Sequence, residues 1–301
     1  MPRTRECEAW RSDTPWRLTN DGNFSGRAAE DTSTCHRNRE ETVYTLGVAL
    51  SHHPCACLLG ERGSPVSIEE AQLSGQCEQV LPGDYGLHPM SMPERSVEYC
   101  LSSAGIAYVD VDVIVFCDAS PAASRSRRLT VADCVLRLPC SPQSRMLVVD
   151  PALAQAYSAL HASGYDEAAI LIISGSEGGA VRLGGAPGAF VPPLERADIF
   201  HASAGGICKL ARVSRDQLDP SGARSSFEET MLSLSALALE KTGCTCLCLA
   251  GDPALNQALC SRIRHALPVS EVFVQPAVHD GTAFGAALYG WQYEQSSSLH
   301  H

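Results

Sequence analysis

The sequence predicts an α/β fold, and three observations carry that prediction. From residue 43 onward, apolar strand-like runs alternate with amphipathic helical patterns. Cys246–Ala250 then runs into Gly251 and a helix opening at Pro253. Val272–Gln275 runs toward His279-Asp280-Gly281 and a helix of small residues reaching Gly290. Two strand–turn–helix units in tandem set two helix N-termini on one sheet edge. Their unsatisfied N–H groups and partial positive charge suit an anion.

The individual elements follow in order. Residues 1–40 are polar and unpatterned and are read as a disordered arm. Residues 41–292 are read as one two-lobed domain, and 293–301 as a flexible tail. The domain opens with a hairpin, Val43–Ala49 and Cys55–Leu59, around Ser51-His52-His53-Pro54. Gly75–Met92 is broken repeatedly by Pro and Gly. A helix follows, with Ser91 as N-cap, Pro93 in its first turn and Gly105 as its stop. Val111–Phe116 and Arg145–Val149 read as strands, separated by a loop at Ser120–Arg128.

The spacing predicts a helix from Pro151 to about Ala162 and a buried strand over Glu167–Ile173. Gly175–Gly188 is glycine-rich but lacks the Lys-Ser/Thr ending of a P-loop, so it is read as a surface turn. Arg196–Asp219 shows only weak patterning. Ser225-x-x-Glu228 reads as a capping box for a helix to Lys241, with Gly243 just past its end.

Composition removes several classes of function. The net charge of −11 over 301 residues argues against a general nucleic-acid binder, and the only lysines are Lys209 and Lys241. No apolar run is long enough to span a bilayer, and no apolar core follows the basic N-terminal residues; a cytoplasmic protein is expected. Fourteen cysteines are scattered through mostly apolar runs and are read as reduced core residues. Cys244, Cys246 and Cys248 alternate as on one face of a strand, about 7 Å apart, a spacing that suits tetrahedral chelation poorly. There is no C-x-x-C pair, and the terminal Leu299-His300-His301 is set aside as a tail, so no metal site is expected.

The segments LGVALSHHPCACLL, PERSVEYCLSSAGIAYVDVDVIVF, VVDPALAQAYSALHASGYDEAAILIISG, LCLAGDPALN and VFVQPAVHDGTAFGAALYG occur in that order between residues 43 and 291. In that combination the chain resembles the carbamoyltransferases of antibiotic and nodulation-factor biosynthesis. The resemblance implies the duplicated βαβ architecture of the actin/Hsp70/sugar-kinase-like (ASKHA) fold. It also implies an ancestor that passed a carbamoyl group from carbamoyl-adenylate to an alcohol, with a divalent metal in its cleft. It covers the family's first domain. The second domain, which makes the adenylate, has no counterpart in these residues.

The resemblance also implies site residues, and several have changed. The family's Asp-His-His-Leu-Ala-His-Ala run, whose first and third histidines ligate the metal, reads here Asp150-Pro151-Ala152-Leu153-Ala154-Gln155-Ala156. The aligned metal carboxylate, Asp280, remains. One carboxylate does not hold such a metal. The family's His-Asp-Ser turn becomes His53-Pro54-Cys55, its aspartate after the Ile170–Ile173 strand becomes Ser174, and its basic motif before the Pro93 helix becomes Leu81-Pro82-Gly83-Asp84. His53 and Asp280 are therefore the catalytic candidates, and Gly251, Asp252, Asn256 and Gly281 the cofactor-side candidates. Asp252 favours a helix N-terminus but repels an adenylate phosphate placed there. No cofactor is expected.

These departures favour a divergent, non-catalytic or repurposed subunit that pairs with a separate catalytic protein, as a heterodimer in natural-product biosynthesis. The alternatives are an active O-carbamoyltransferase that takes its donor from another protein through a metal-free mechanism, and a nucleotide-binding module.

Overall fold

The computed structural model describes residues 43–50, 54–60, 65–74, 92–118, 143–175, 194–214, 227–251, 257–276 and 281–298. It also describes positions 141 and 217 and the two-residue ladders β1 (Arg17–Leu18) with β2 (Phe24–Ser25) and β9 (Val181–Arg182) with β10 (Phe190–Val191). Ser91 and Ser225, the expected helix caps, lie outside these residues, as do the Ser120–Arg128 loop and most of the arm and the glycine-rich turn.

Two five-stranded sheets carry the fold. The first uses β3 (Tyr44–Leu50), β4 (Cys55–Gly60), β5 (Val66–Glu69), β6 (Val113–Asp118) and β7 (Arg145–Val149), in the order β5-β4-β3-β6-β7. The second uses β8 (Ala168–Gly175), β11 (Leu194–Ser203), β12 (Gly206–Ser214), β13 (Cys246–Ala250) and β14 (Glu271–Val274), in the order β12-β11-β8-β13-β14. In each sheet the first strand pairs antiparallel with the second, the second antiparallel with the third, and the last two extend it in parallel. One unit of three antiparallel and two parallel strands thus occurs twice. This internal duplication is the ASKHA architecture.

The helices are α1 (Glu70–Ser74), α2 (Glu94–Ala104), α3 (Pro151–Ser163), α4 (Phe227–Thr242), α5 (Gln257–Ala266) and α6 (Gly281–Ser298). None among the described residues is long and apolar enough to cross a membrane. Gly105, Gly164 and Gly243 follow α2, α3 and α4 with φ of 65°, 68° and 72°, the left-handed conformation that closes a helix at little cost for glycine.

Strand periodicity decides what each face meets. On β3, Leu46, Val48 and Leu50 face the α2 core, while Ala49 faces α6. On β8, Ala169, Leu171 and Ile173 face the core of α4 and α5, while Ile170 and Ile172 face α3. The lobes exchange their last helices. α3 leaves the first sheet and covers the second; α6 leaves the second and packs on β3, β4 and β6 of the first. The two helices pack on each other. Their contact is made by backbone: a Cβ on Gly285 would lie 1.8 Å from the Ala154 carbonyl oxygen; α6 approaches β3 as closely, since a Cβ on Gly47 would lie 2.0 Å from the Ala283 carbonyl oxygen.

Four sequence readings change. α6 runs on to Ser298, so residues 293–298, expected in a flexible tail, are helical, and Glu294 pairs with Arg145. Arg196–Asp219, weakly patterned in sequence, contains most of β11 and all of β12, a long antiparallel pair. It was hard to read because β12 is largely exposed and charged residues interrupt both strands. Val66–Glu69 and α1 had no assignment. β13 starts at Cys246, so Cys244 precedes the strand that Cys246 and Cys248 occupy. Six of the nine described cysteines are buried, in keeping with core residues.

Candidate functional site

α3 opens directly after the C-terminal end of β7, and α6 follows the C-terminal end of β14. His53, Asp252, Asn256 and Asp280 lie outside the described residues. Gly251 and Gly281 can be placed.

Gly251 ends β13 with φ +100°, and a Cβ there would meet the Ile173 carbonyl oxygen at 1.9 Å. Both facts require glycine, and both arise from the crowded ends of β13 and β8. Gly281 is buried at the start of α6. A Cβ there would lie 2.9 Å from Gln275 Nε2 and 3.4 Å from Ser158 Oγ. Packing therefore explains both glycines without a ligand.

Gln275 is 9% exposed, and its Nε2 donates to Ser158 Oγ at 2.7 Å. This buried bond ties the end of β14 to the middle of α3. Positions 151, 155 and 158 share one face of α3, because intervals of four and seven return to the same side of a helix. Ser158 is the residue that brings this face of α3 against the start of α6. The donors on that face do not fit a metal: Pro151 offers no side-chain donor, and the Gln155 amide is a poor ligand for a transition ion.

Asp150 caps α3. Its Oδ1 accepts from the Ala152 N–H at 2.8 Å, and Pro151 occupies the first helical position. Burial pushes its carboxyl up, but the Ala152 N–H, Lys209 and Arg212 outweigh that and hold it below the usual carboxylate range.

A charged cluster stands beside this cap. Asp198 on β11 is fully buried. Its Oδ1 lies 2.6 Å from Lys209 Nζ and accepts from Arg212 Nε at 2.7 Å. Arg196 Nε lies 2.9 Å from Oδ2 as an ion pair whose angle is not that of a hydrogen bond. Arg212 also reaches Asp150 Oδ2 at 3.2 Å, joining the second sheet to the first turn of α3.

Residues three apart on a regular strand face opposite sides, yet Lys209 and Arg212 both reach Asp198. The cause is a bulge: Ile199 pairs with Ala211 and Phe200 with Lys209, leaving Leu210 as the extra residue. No sequence pattern announced it. The Arg196-x-Asp198 spacing was the one visible signal, since it places both side chains on one strand face.

His161 on α3 packs edge-on against Phe284 of α6, with ring centroids 5.3 Å apart. Burial lowers its pKa below 6.5. The native state therefore favours the neutral ring. Stability from this site is present above pH 6.5 and is lost as pH falls from there toward the folded-state value, because only the unfolded chain takes up the proton. In urea denaturation series run above and below pH 6.5, His161→Gln is expected to lose less stability on acidification than the parent. Equal losses would contradict the burial of a neutral ring.

Residues 198–288 match the carbamoyltransferase N-terminus. The nodulation protein NolNO of Sinorhizobium fredii (strain NBRC 101917 / NGR234) is 26% identical over 294 residues, covering 67% of this chain and 42% of that protein. The chain thus spans less than half the length of the curated relative it matches. Solved structures similar to it include the ROK hexokinase of Thermus thermophilus, at 12% identity and a TM-score of 0.47, covering 83% of this chain and 99% of that one. Another is the activator of 2-hydroxyisocaproyl-CoA dehydratase from Clostridium difficile, at 12% identity and a TM-score of 0.45, covering 86% and 98%. The chain is an ASKHA-type α/β protein. Over residues 198–288 its sequence is similar to the N-terminal part of carbamoyltransferases, in keeping with a carbamoyltransferase-like ancestry.

Proposed function

We propose that this chain is a carbamoyltransferase-like subunit that does not transfer carbamoyl groups on its own and acts with a separate catalytic protein in natural-product biosynthesis. One observation carries the reading. The packing that builds the ancestral cleft is intact, from Gly285 against Ala154 to Ser158 against Gln275, while the α3 face beside Gly281 presents Pro151 and Gln155. A cleft under selection for the ancestral chemistry needs imidazoles there far more than it needs this packing. Asp252, next to Gly251 in the sequence, is a negative charge that would disfavour an adenylate phosphate approaching there.

The test has two arms. The purified chain, supplied with ATP, carbamoyl phosphate and ferrous ion, is expected to consume no carbamoyl phosphate; measurable turnover would overturn the non-catalytic reading. Co-expressed with the proteins encoded beside it, the chain is expected to elute with one of them in a stable complex. A chain that stays monomeric with every one of them would contradict the subunit role.

A further inference from the structure

We propose that Glu167, His201 and Cys244 form a binding site for a zinc-class divalent cation on the second sheet, at the edge opposite the cleft. One Glu carboxylate oxygen, one His ring nitrogen and the Cys sulfur lie within 4.8 Å of one another. His201 Nε2 and Glu167 Oε1 are already 3.2 Å apart. Two nitrogen or oxygen ligands on one tetrahedral zinc stand about 3.3 Å apart, and sulfur stands slightly farther from each, so closure requires the thiol to move by roughly 1 Å.

Strand register builds the site from three separate segments. Glu167 stands one residue before β8, and Cys244 two residues before β13. β8 and β13 run parallel with Leu247 opposite Ala169, which sets residue 245 level with Glu167. β11 runs antiparallel to β8 and places His201 opposite Ala169. The three residues therefore cross the N-terminal edge of the sheet in one row. Gly251 and Ser174 mark the opposite, C-terminal ends of β13 and β8.

The ligands are also held in position. The Cys244 N–H donates to Thr242 Oγ1 at 3.2 Å, fixing the chain just after α4. The C-terminal end of that 16-residue helix lies beside the cluster, and its partial negative charge favours a cation. Glu167 is exposed, while His201 and Cys244 are half-buried, so the fourth position opens to water. Thiolate, imidazole and carboxylate together suit zinc better than magnesium or calcium, which take all-oxygen shells. Three protein ligands with one open position describe an accessible site rather than a closed structural one.

The full chain, stripped of metal, would be titrated with cobalt(II) and then zinc(II). One cobalt per chain is expected, with a thiolate-to-cobalt charge-transfer band that zinc abolishes. Cys244→Ser removes the band. His201→Gln and Glu167→Gln each weaken cobalt binding by roughly tenfold or more. Cys246→Ser, at a neighbouring thiol outside the triad, leaves binding unchanged. A band that persists in Cys244→Ser, or that disappears in Cys246→Ser instead, overturns the assignment. So does a wild-type affinity no tighter than that of Cys244→Ser. Glu167→Gln alters an exposed side chain and keeps the test decisive if a half-buried substitution unfolds the protein.

Discussion

Gly285→Ala is expected to destabilise the protein by about 3 kcal/mol. The added methyl would lie 1.8 Å from the Ala154 carbonyl oxygen and 2.6 Å from its carbon. Both atoms are backbone, so no side chain can turn aside. α3 and α6 must separate, and the buried Ala154, Ala283, Ala286 and Ala287 lose contact together. In a chain of this size the shift in melting temperature is on the order of 5–10 °C. Gly205→Ala is the control, because its nearest neighbour would be Ser203 Oγ at 3.8 Å. Thermal unfolding that places the two variants within a degree of each other would mean that the helices do not meet through backbone.

Asp198→Asn is expected to cost about 3 kcal/mol, at the lower end for a broken buried ion cluster. The substitution keeps the shape but leaves Arg196, Lys209 and Arg212 facing one another without their carboxylate. The three cations are 34–45% exposed and can partly turn into water, which limits the loss. Mutual repulsion is screened by salt, so the deficit should shrink in about 1 M sodium chloride. Urea unfolding checks both points. A loss under about 0.5 kcal/mol, or one unchanged by salt, would show that the cluster does not bind β11, β12 and the α3 cap through charge.

The fold was legible where periodicity and apolar content agreed. The runs that became β3, β4, β8 and β13 are buried on both faces and read as strands at once. Asp150-Pro151 announced the start of α3, because a capping carboxylate before proline is a local signal. The β11–β12 pair was hidden because its identity depends on pairing partners far along the chain, and because Asp198 sits at a core position that composition alone assigns to solvent. Bulges change the side-chain period, so the convergence of Lys209 and Arg212 on Asp198 had no readable pattern. Glu167, His201 and Cys244 were invisible for the same reason: register brings them together, and no short motif joins them.

The cleft divides differently. Gly251 and Gly281 were read as ligand-side glycines, and the structure gives each a packing cause. The loss of imidazoles at 151 and 155 was readable from the resemblance. What the sequence withheld was that the face carrying both positions meets the start of α6 through Ser158 and Gln275.

The most direct measurement restores the missing donors. In a Cys244→Ser background, which silences the sheet-edge triad, P151H/Q155H is expected to gain one tightly bound divalent ion per chain, seen by elemental analysis after gel filtration. A further Asp280→Asn substitution should remove it, and the background chain should hold no ion that Asp280→Asn displaces. An ion already present in the background and lost with Asp280→Asn, or a folded P151H/Q155H chain that gains none, would contradict an intact cleft lacking only its histidine donors.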